Sequence, residues 1–515
     1  MTLLSVSTTF GISSAAHARD WICNGTEFWD NEACWSPIGL PIADETVNLG
    51  IDGAVIDYHN TLNPTDLLGT VRIDAYGPGT VRFEQTSGDS ISISNLFVGR
   101  NSNGEYIQTA GTSNINTASI GGRTGSTGLF ELGGSGEATF DFLFTGYEGS
   151  GTFNQTGGTN TVTRELTLGV GAGAIGNYRL SGGTLTVGDA VNRDGIEHVG
   201  WWGSGDFAQE AGSTHNVYGT LFISRKAGPL GAPSTGTYTM NGGILNADRV
   251  VVGSIPQVLT YGSNEYDDVH EASNGNFRQN DGEVTVLTDL VISGSGGALG
   301  RYELNGGSLT AGNVINNDRF EYSGGSLDSS IENHALLTFS GTDTLTVTGS
   351  ITNVGETTYI QKDDGGLIVV YEETKNGVIS VADGTRVRIF EDLTLGELGT
   401  LDIELGSNFL GFSDTVPWIS VDGQVSIDGI LNLKHLSGWS PVAGDSWTIL
   451  EAATLTGMFD SVLFPEIPNW DWELVYEADR VLLSGNMNAV PLPAAVWLFA
   501  SGIASLITIG RRRKT

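Results

Sequence analysis

The chain has 515 residues, 74 of them glycine, and carries a formal net charge of −35 from 59 acidic and 24 basic residues. That glycine share is about twice the usual ~7%, and the 16% charged content falls well short of the usual ~25%. Such an acidic body repels phosphate backbones and excludes nucleic acid as a partner, 39% hydrophobic content excludes a disordered chain, and two cysteines are too few for a disulfide scaffold.

Residues 1–18 are small and apolar and end in Ala16-His17-Ala18, a pattern suited to signal peptidase. No positive n-region precedes them, so the expectation is a truncated signal peptide, the alternative being an unstructured N-terminus. Cys23 and Cys34 follow closely. In an exported protein such a pair is expected to form one small bridge, and no neighbouring histidine argues for a metal. Residues 19–50 then read as an N-terminal cap.

From residue 51 to about 330 one pattern recurs. It is an aromatic, any residue, Gln or an apolar residue, two mostly small or polar residues, then Gly. Copies include Phe83 to Gly88, Tyr106 to Gly111, Phe153 to Gly158, Tyr178 to Gly183, Tyr302 to Gly307 and Phe320 to Gly325. Their glycines step by 23, 23, 24, 25, 29, 31, 39, 25 and 18 residues. Alternating β-rich stretches follow each copy, and the glycines mark tight turns. No helical period persists before residue 494.

A unit of about 24 residues with short strands and glycine corners predicts one coil of a right-handed parallel β-helix, or β-solenoid. The recurring aromatic would stack on its copies, as would the Gln or Leu two places on. The fold class is therefore all-β, with capped ends. At up to about 19 coils it would be on the order of 90 Å long. The three long steps mark loops thrown out from the coil, the longest holding Tyr261 to Asn276.

Residues 331–487 read as further coils and a C-terminal cap. Trp21, Trp29 and Trp35 lie before the repeats, and Trp418, Trp439, Trp447, Trp470 and Trp472 lie after them, placed to cover the end coils. Trp201-Trp202, inside the repeats, is the candidate carbohydrate platform, since adjacent strand positions face opposite ways and one ring must point outward.

Little points to catalysis. The histidines are scattered, with no metal-ligand spacing, no nucleophile elbow and no phosphate loop. The one acidic cluster is Glu265, Asp267 and Asp268 with His270, for which a solvated loop is the plain reading. Asp206 and Asp281 are expected to shape turns. No cofactor or metal site is expected beyond diffuse Ca²⁺ binding.

The end of the chain, 488–515, is the most specific segment. Val490-Pro491-Leu492-Pro493 is extended by its alternate prolines. Residues 494–510 carry no charge and would just cross a hydrocarbon core as a helix. Arg511, Arg512, Arg513 and Lys514 then act as a cytoplasmic stop, leaving the body outside.

This tripartite tail resembles the PEP-CTERM sorting signal, with Leu492 where the family name implies glutamate. The repeats resemble passenger-type β-helices with autotransporter-associated strand repeats. The resemblance implies processing by an exosortase-type membrane peptidase in a Gram-negative bacterium, after anchoring at the inner membrane, and delivery to the cell surface or extracellular matrix. The expected function is a non-enzymatic structural or adhesive protein of an exopolysaccharide biofilm. The alternatives are a carbohydrate-active β-helix enzyme, with Arg278 beside the Asp267 loop, and a cell–cell adhesin. Room for a membrane β-barrel is missing after residue 490, so self-export is not expected.

Overall fold

In the computed structural model, the described residues are 18–59, 67–225, 234–253, 273–294, 298–364, 367–406, 416–437, 439–442, 444, 446–487, 495 and 498–504, with no side chains described over 356–373. They are almost entirely β. Strands three to nine residues long alternate buried and half-exposed positions, and where two strands run together through a bend the segment reaches 19 or 20 residues, as in Ser150–Leu168 and Ser273–Ile292.

Each coil contributes three strands to three columns of parallel strands, the arrangement of a β-solenoid. One coil shows the order: Asn103–Gln108 on the aromatic face, then 112–115 on a second face and 117–120 on a third. On the aromatic face the ladder passes from Thr26–Phe28 to Ser461–Leu463 through seventeen described strands, each parallel to the next. At about 4.8 Å per step the stack is roughly 80 Å long. The third-face ladder crosses residues 50/51 and 330/331 without interruption, since Thr46–Leu49 pairs with Leu67–Ile73 and Ser308–Asn316 with Ile331–Asn333.

The repeated aromatic is the inward residue of the aromatic face. From Tyr106 to Tyr302, through Phe130, Phe153, Tyr178, Phe207, Tyr238 and Phe277, successive rings lie 4.5–5.0 Å apart and within 14° of parallel. Offset-stacked rings gain about 0.5–1.5 kcal/mol per pair beyond burial. The stack ends where Phe320 meets Tyr302 edge-on, at 5.6 Å and 89°. Leu337, Ile379, Leu401 and Leu431 occupy the register beyond it. There the third face supplies a polar ladder instead: Asn316 Nδ2 donates to Asn333 Oδ1 and Asn333 Nδ2 to Asn353 Oδ1, each at 2.6 Å, all three residues buried.

Glycine sets the corner between the third face and the next aromatic strand. At Gly151 a Cβ would lie 2.2 Å from Gly146 N and 2.3 Å from Ile120 O. The coil turns so tightly there that one chain runs against the backbone of the coil before it.

Both ends are covered. At the N-terminus the Cys23–Cys34 disulfide ties down a tryptophan cluster, Trp21 and Trp29 each edge-on to Trp35 at 4.9 and 4.7 Å. Trp29 and Tyr58 close the end of the aromatic column against Phe83. At the other end, Trp470–Tyr476 and Arg480–Met487 pair antiparallel, and the latter runs antiparallel to Ser446–Gly457. This antiparallel flap packs Trp439, Trp447, Trp470 and Trp472 together over the last coil.

Two features depart from the sequence reading. An antiparallel hairpin of Glu356–Asp364 and Leu367–Lys375 forms its own two-stranded sheet outside the stack. Ala18, at the expected signal-peptide end, is the first residue of strand Ala18–Trp21 and pairs with Thr46. The next residue, Arg19, is held by Glu45 at 2.8 Å and by the Pro37 and Gly39 carbonyls. Of the long steps, the 29-residue one is a turn over 188–194 in which Asp189 accepts hydrogen bonds from the Val191 and Asn192 amides.

Candidate functional surface

The inner channel is a side-chain core and cannot hold a substrate. Its polar members bond to one another. Tyr178, Tyr238 and Tyr302 donate to Gln155, Gln209 and Gln279 Oε1 one coil earlier, at 2.6–2.7 Å. Each of these glutamines donates its Nε2 to backbone carbonyls at the bend between faces. Burial pushes all three phenols well above their usual value.

One network is ionisable and sealed. Tyr238 gives its single hydroxyl proton to Gln209, so His215 Nδ1, 2.9 Å away, must donate to the tyrosine oxygen. His215 Nε2 lies 2.9 Å from Glu197 Oε2. Both side chains are fully buried, which denies them to any external substrate.

One outward-facing column lies on the third face, where Phe97, Phe144 and Phe222 are half-buried and Ser119, Thr167 and His198 are buried, with a corner after it. In register, the outward positions are Phe97, Ser119, Phe144, Thr167, His198 and Phe222. Three residues on, at the corner, stand Arg100, Gly122, Tyr147, Val170, Trp201 and Arg225, joined rung to rung by backbone hydrogen bonds over Gly122 to Arg225. Outward and corner residues touch in pairs: Arg100 over Phe97 at 5.0 Å, Tyr147 edge-on to Phe144 at 5.8 Å, Trp201 edge-on to His198 at 4.1 Å, and Arg225 over Phe222 at 4.4 Å. Arg225 also caps Trp201 at 5.4 Å. Burial, with Arg225 nearby, holds the His198 imidazole well below its usual range.

Trp201 and Trp202 are thus half-exposed, 6.4 Å apart, but they sit on the bend at the corner and not on a strand. Strand alternation is therefore not what turns a ring outward; the bend does. Asp206 also departs from expectation. It is an exposed, outward position of strand Ser204–Gln209, whereas Asp281 does shape a bend by accepting from Gly282 N at 2.8 Å.

Glu265, Asp267, Asp268 and His270 lie outside the described residues. So do Val490, Pro491, Leu492 and Pro493, the basic end Arg511 to Lys514, and residues 1–17. Arg278 is engaged by Glu303, at 3.0 Å. Among the described residues, no three His, Cys, Asp or Glu side chains converge to hold a metal ion. No helix of the described residues is long and apolar enough to cross a membrane; the helical residues 498–504 are exposed.

No family model matches this chain, and no curated protein matches it closely enough to suggest a relative.

Proposed function

We propose that the chain is an exported, non-enzymatic structural or adhesive protein of the cell surface or extracellular matrix. Its body would be a right-handed solenoid, the hand that parallel crossover connections almost always take. Residues 494–510 would hold the precursor in the inner membrane, with Arg511 to Lys514 on the cytoplasmic side. An exosortase-type peptidase would cut near Pro493 and release the body toward the surface.

The observation that supports this reading is the uninterrupted parallel stack covered at both ends by tryptophan-rich caps. Such a body is rigid and long, and its interior is spent on packing. The surface charge keeps it soluble and gathers divalent cations able to bridge to anionic matrix polymers.

The test is expression of the full chain in a bacterium with and without its sorting peptidase, with mass spectrometry of the C-terminus and fractionation of cells. Loss of residues beyond the 490–493 motif, peptidase-dependent, with the product on the surface or in the matrix, is the expected result. An uncut chain retained inside the cell overturns it. Matrix association that is indifferent to chelators removes the cation bridge. A reducing-end assay on acidic polysaccharides that shows turnover overturns the non-enzymatic assignment.

A further inference from the structure

We infer that the groove beside Tyr76, at the corner of the first coils, is a binding site for a neutral pyranose unit of a polysaccharide. The sugar lies on the open face of the Tyr76 ring, and Arg72 and Asn101 meet its hydroxyls. The site rests on the surface role above and adds a direct sugar contact that needs no bridging cation.

Three observations carry it. The first is how the ring is seated. Tyr76 is 68% exposed, and its amide donates to Gly50 O of the preceding coil at 2.7 Å. A Cβ at Gly50 would lie 2.2–2.5 Å from Cζ, Cε1 and Cε2 of that ring. Glycine therefore lets the ring lie down on the backbone, with its other face toward solvent. An aromatic face held flat beside polar groups suits the apolar side of a sugar ring.

The second is unspent hydrogen-bonding capacity. The groove has a volume of about 510 Å³, within the ~300–1,000 Å³ of small-ligand sites. Arg72 Nη1 donates to Asn48 Oδ1 at 3.0 Å. Among the described residues that is the guanidinium's one acceptor, and no carboxylate closes on it as an ion pair. Asn101 gives one Nδ2 proton to Asp74 at 2.7 Å and keeps the other, together with Oδ1. Donors and an acceptor therefore face the same groove, which is what a hydroxyl needs.

The third is charge. The charged lining residues are Arg72 and Asp74, one of each sign. Asp74 is spent on its own corner: it is 8% exposed, and Oδ1 accepts from the Asn101 and Ser102 amides at 2.8 Å. Two further carboxylates stand near. Asp20 accepts from Asn48 Nδ2 at 2.8 Å, and Asp52 accepts from the Gly77 and Gly79 amides at 2.9 and 3.2 Å. A balanced lining with acids around it repels an anionic sugar and admits a neutral one.

The experiment is calorimetric titration of the purified full chain, in chelator. The probes are neutral oligosaccharides of glucose, galactose, mannose and N-acetylglucosamine, with oligogalacturonate of equal length beside them. At least one neutral series should bind, and more tightly than oligogalacturonate. Tyr76→Ala should weaken it by roughly tenfold. Gly50→Ala, which leaves Tyr76 in the chain but unseats its ring, should do the same. Arg72→Gln should also cost roughly tenfold or more, and Tyr76→Phe less than Tyr76→Ala. Phe390→Ala, an exposed ring under Arg388 further along the stack, should change nothing. Circular dichroism checks that each variant is folded.

No binding by any neutral series, tighter binding of oligogalacturonate, or binding indifferent to both Tyr76→Ala and Arg72→Gln overturns the site. So does a Tyr76→Ala chain that loses self-association in sedimentation while its sugar binding stays intact, since the occupant would then be a second copy. If the chain reaches the matrix but binds no sugar, the site fails and the surface role stands. If it binds sugar with this pattern of variants but never leaves the cell, the surface role fails alone.

Discussion

The inward column obeys a rule between neighbouring coils. Tyr106, Tyr178, Tyr238 and Tyr302 each follow a coil whose third inward position is glutamine, namely Gln85, Gln155, Gln209 and Gln279. Phe153, Phe207, Phe277 and Phe320 follow Leu132, Leu180, Met240 and Leu304. Phe130 follows Gln108, whose oxygen is served by Ser113 at 3.0 Å instead. A buried hydroxyl without an acceptor costs about 1–3 kcal/mol, and so does the stranded partner. Tyr302→Phe and Gln279→Leu should therefore each destabilise by that order. The double variant, which recreates the leucine-then-phenylalanine pairing, should cost at least ~1 kcal/mol less than the sum. Hydrogen exchange of the strands 274–279 and 299–304 measures this locally, which suits a long stack whose unfolding need not be all-or-none.

His198 makes a pH prediction at the same scale. The fold keeps its imidazole neutral, through burial first and Arg225 second, whereas the unfolded chain protonates it near the usual 6.5. The unfolded state then binds more protons below that pH, so this residue's contribution is intact above about 6.5 and is lost as the pH falls further. His198→Phe, with phenylalanine already present one rung on at Phe222, should flatten the acid limb of the melting temperature against pH. An acid limb identical to the parent's would show that the ring does not report on folding.

At the scale of elements, the coil is decided by its corner more than by its strands. A Cβ on Gly151 would meet Gly146 N at the same corner at 2.2 Å and Ile120 O of an earlier coil at 2.3 Å, while Gly125 has φ +85° and open space around it. The two separate sterics from backbone preference. Gly125→Ala should cost about 1–2 kcal/mol, the strain of a left-handed residue. Gly151→Ala must push adjacent coils apart, and should cost more than that and raise hydrogen exchange in both. Equal effects on thermal and exchange stability would mean that the corner can relax.

Over the whole molecule the exposed ends decide whether a stack stays single. The disulfide closes a short loop, 11 residues in separation, over the first coil. Cys23→Ser with Cys34→Ser should lower the stability of residues 18–58 by roughly 2–3 kcal/mol. The unlatched cap would bare Trp21, Trp29 and a parallel edge, which invites end-to-end pairing. Reduced tryptophan burial in fluorescence and concentration-dependent growth in light scattering are the expected signs. A cap that stays closed without the bridge would leave both unchanged.

Much of this was legible beforehand, because a coil that repeats must repeat its residues. The aromatic-x-Gln pattern located the inward column, the glycines its corners, and the outlying tryptophans its covers. Spacing failed where a feature is not periodic. The hairpin 356–375 reads as two more alternating strands until the ladder shows that the coil passes it by. His215 and Glu197, scattered in the chain, meet only because successive coils overlie. Composition and period alone determined that the chain stacks, since alternation and glycine act within a coil. Which tyrosine needs which glutamine, and which outward rings line one edge with Arg100 and Arg225, was decided only by the tertiary register, because those contacts join residues a full coil apart.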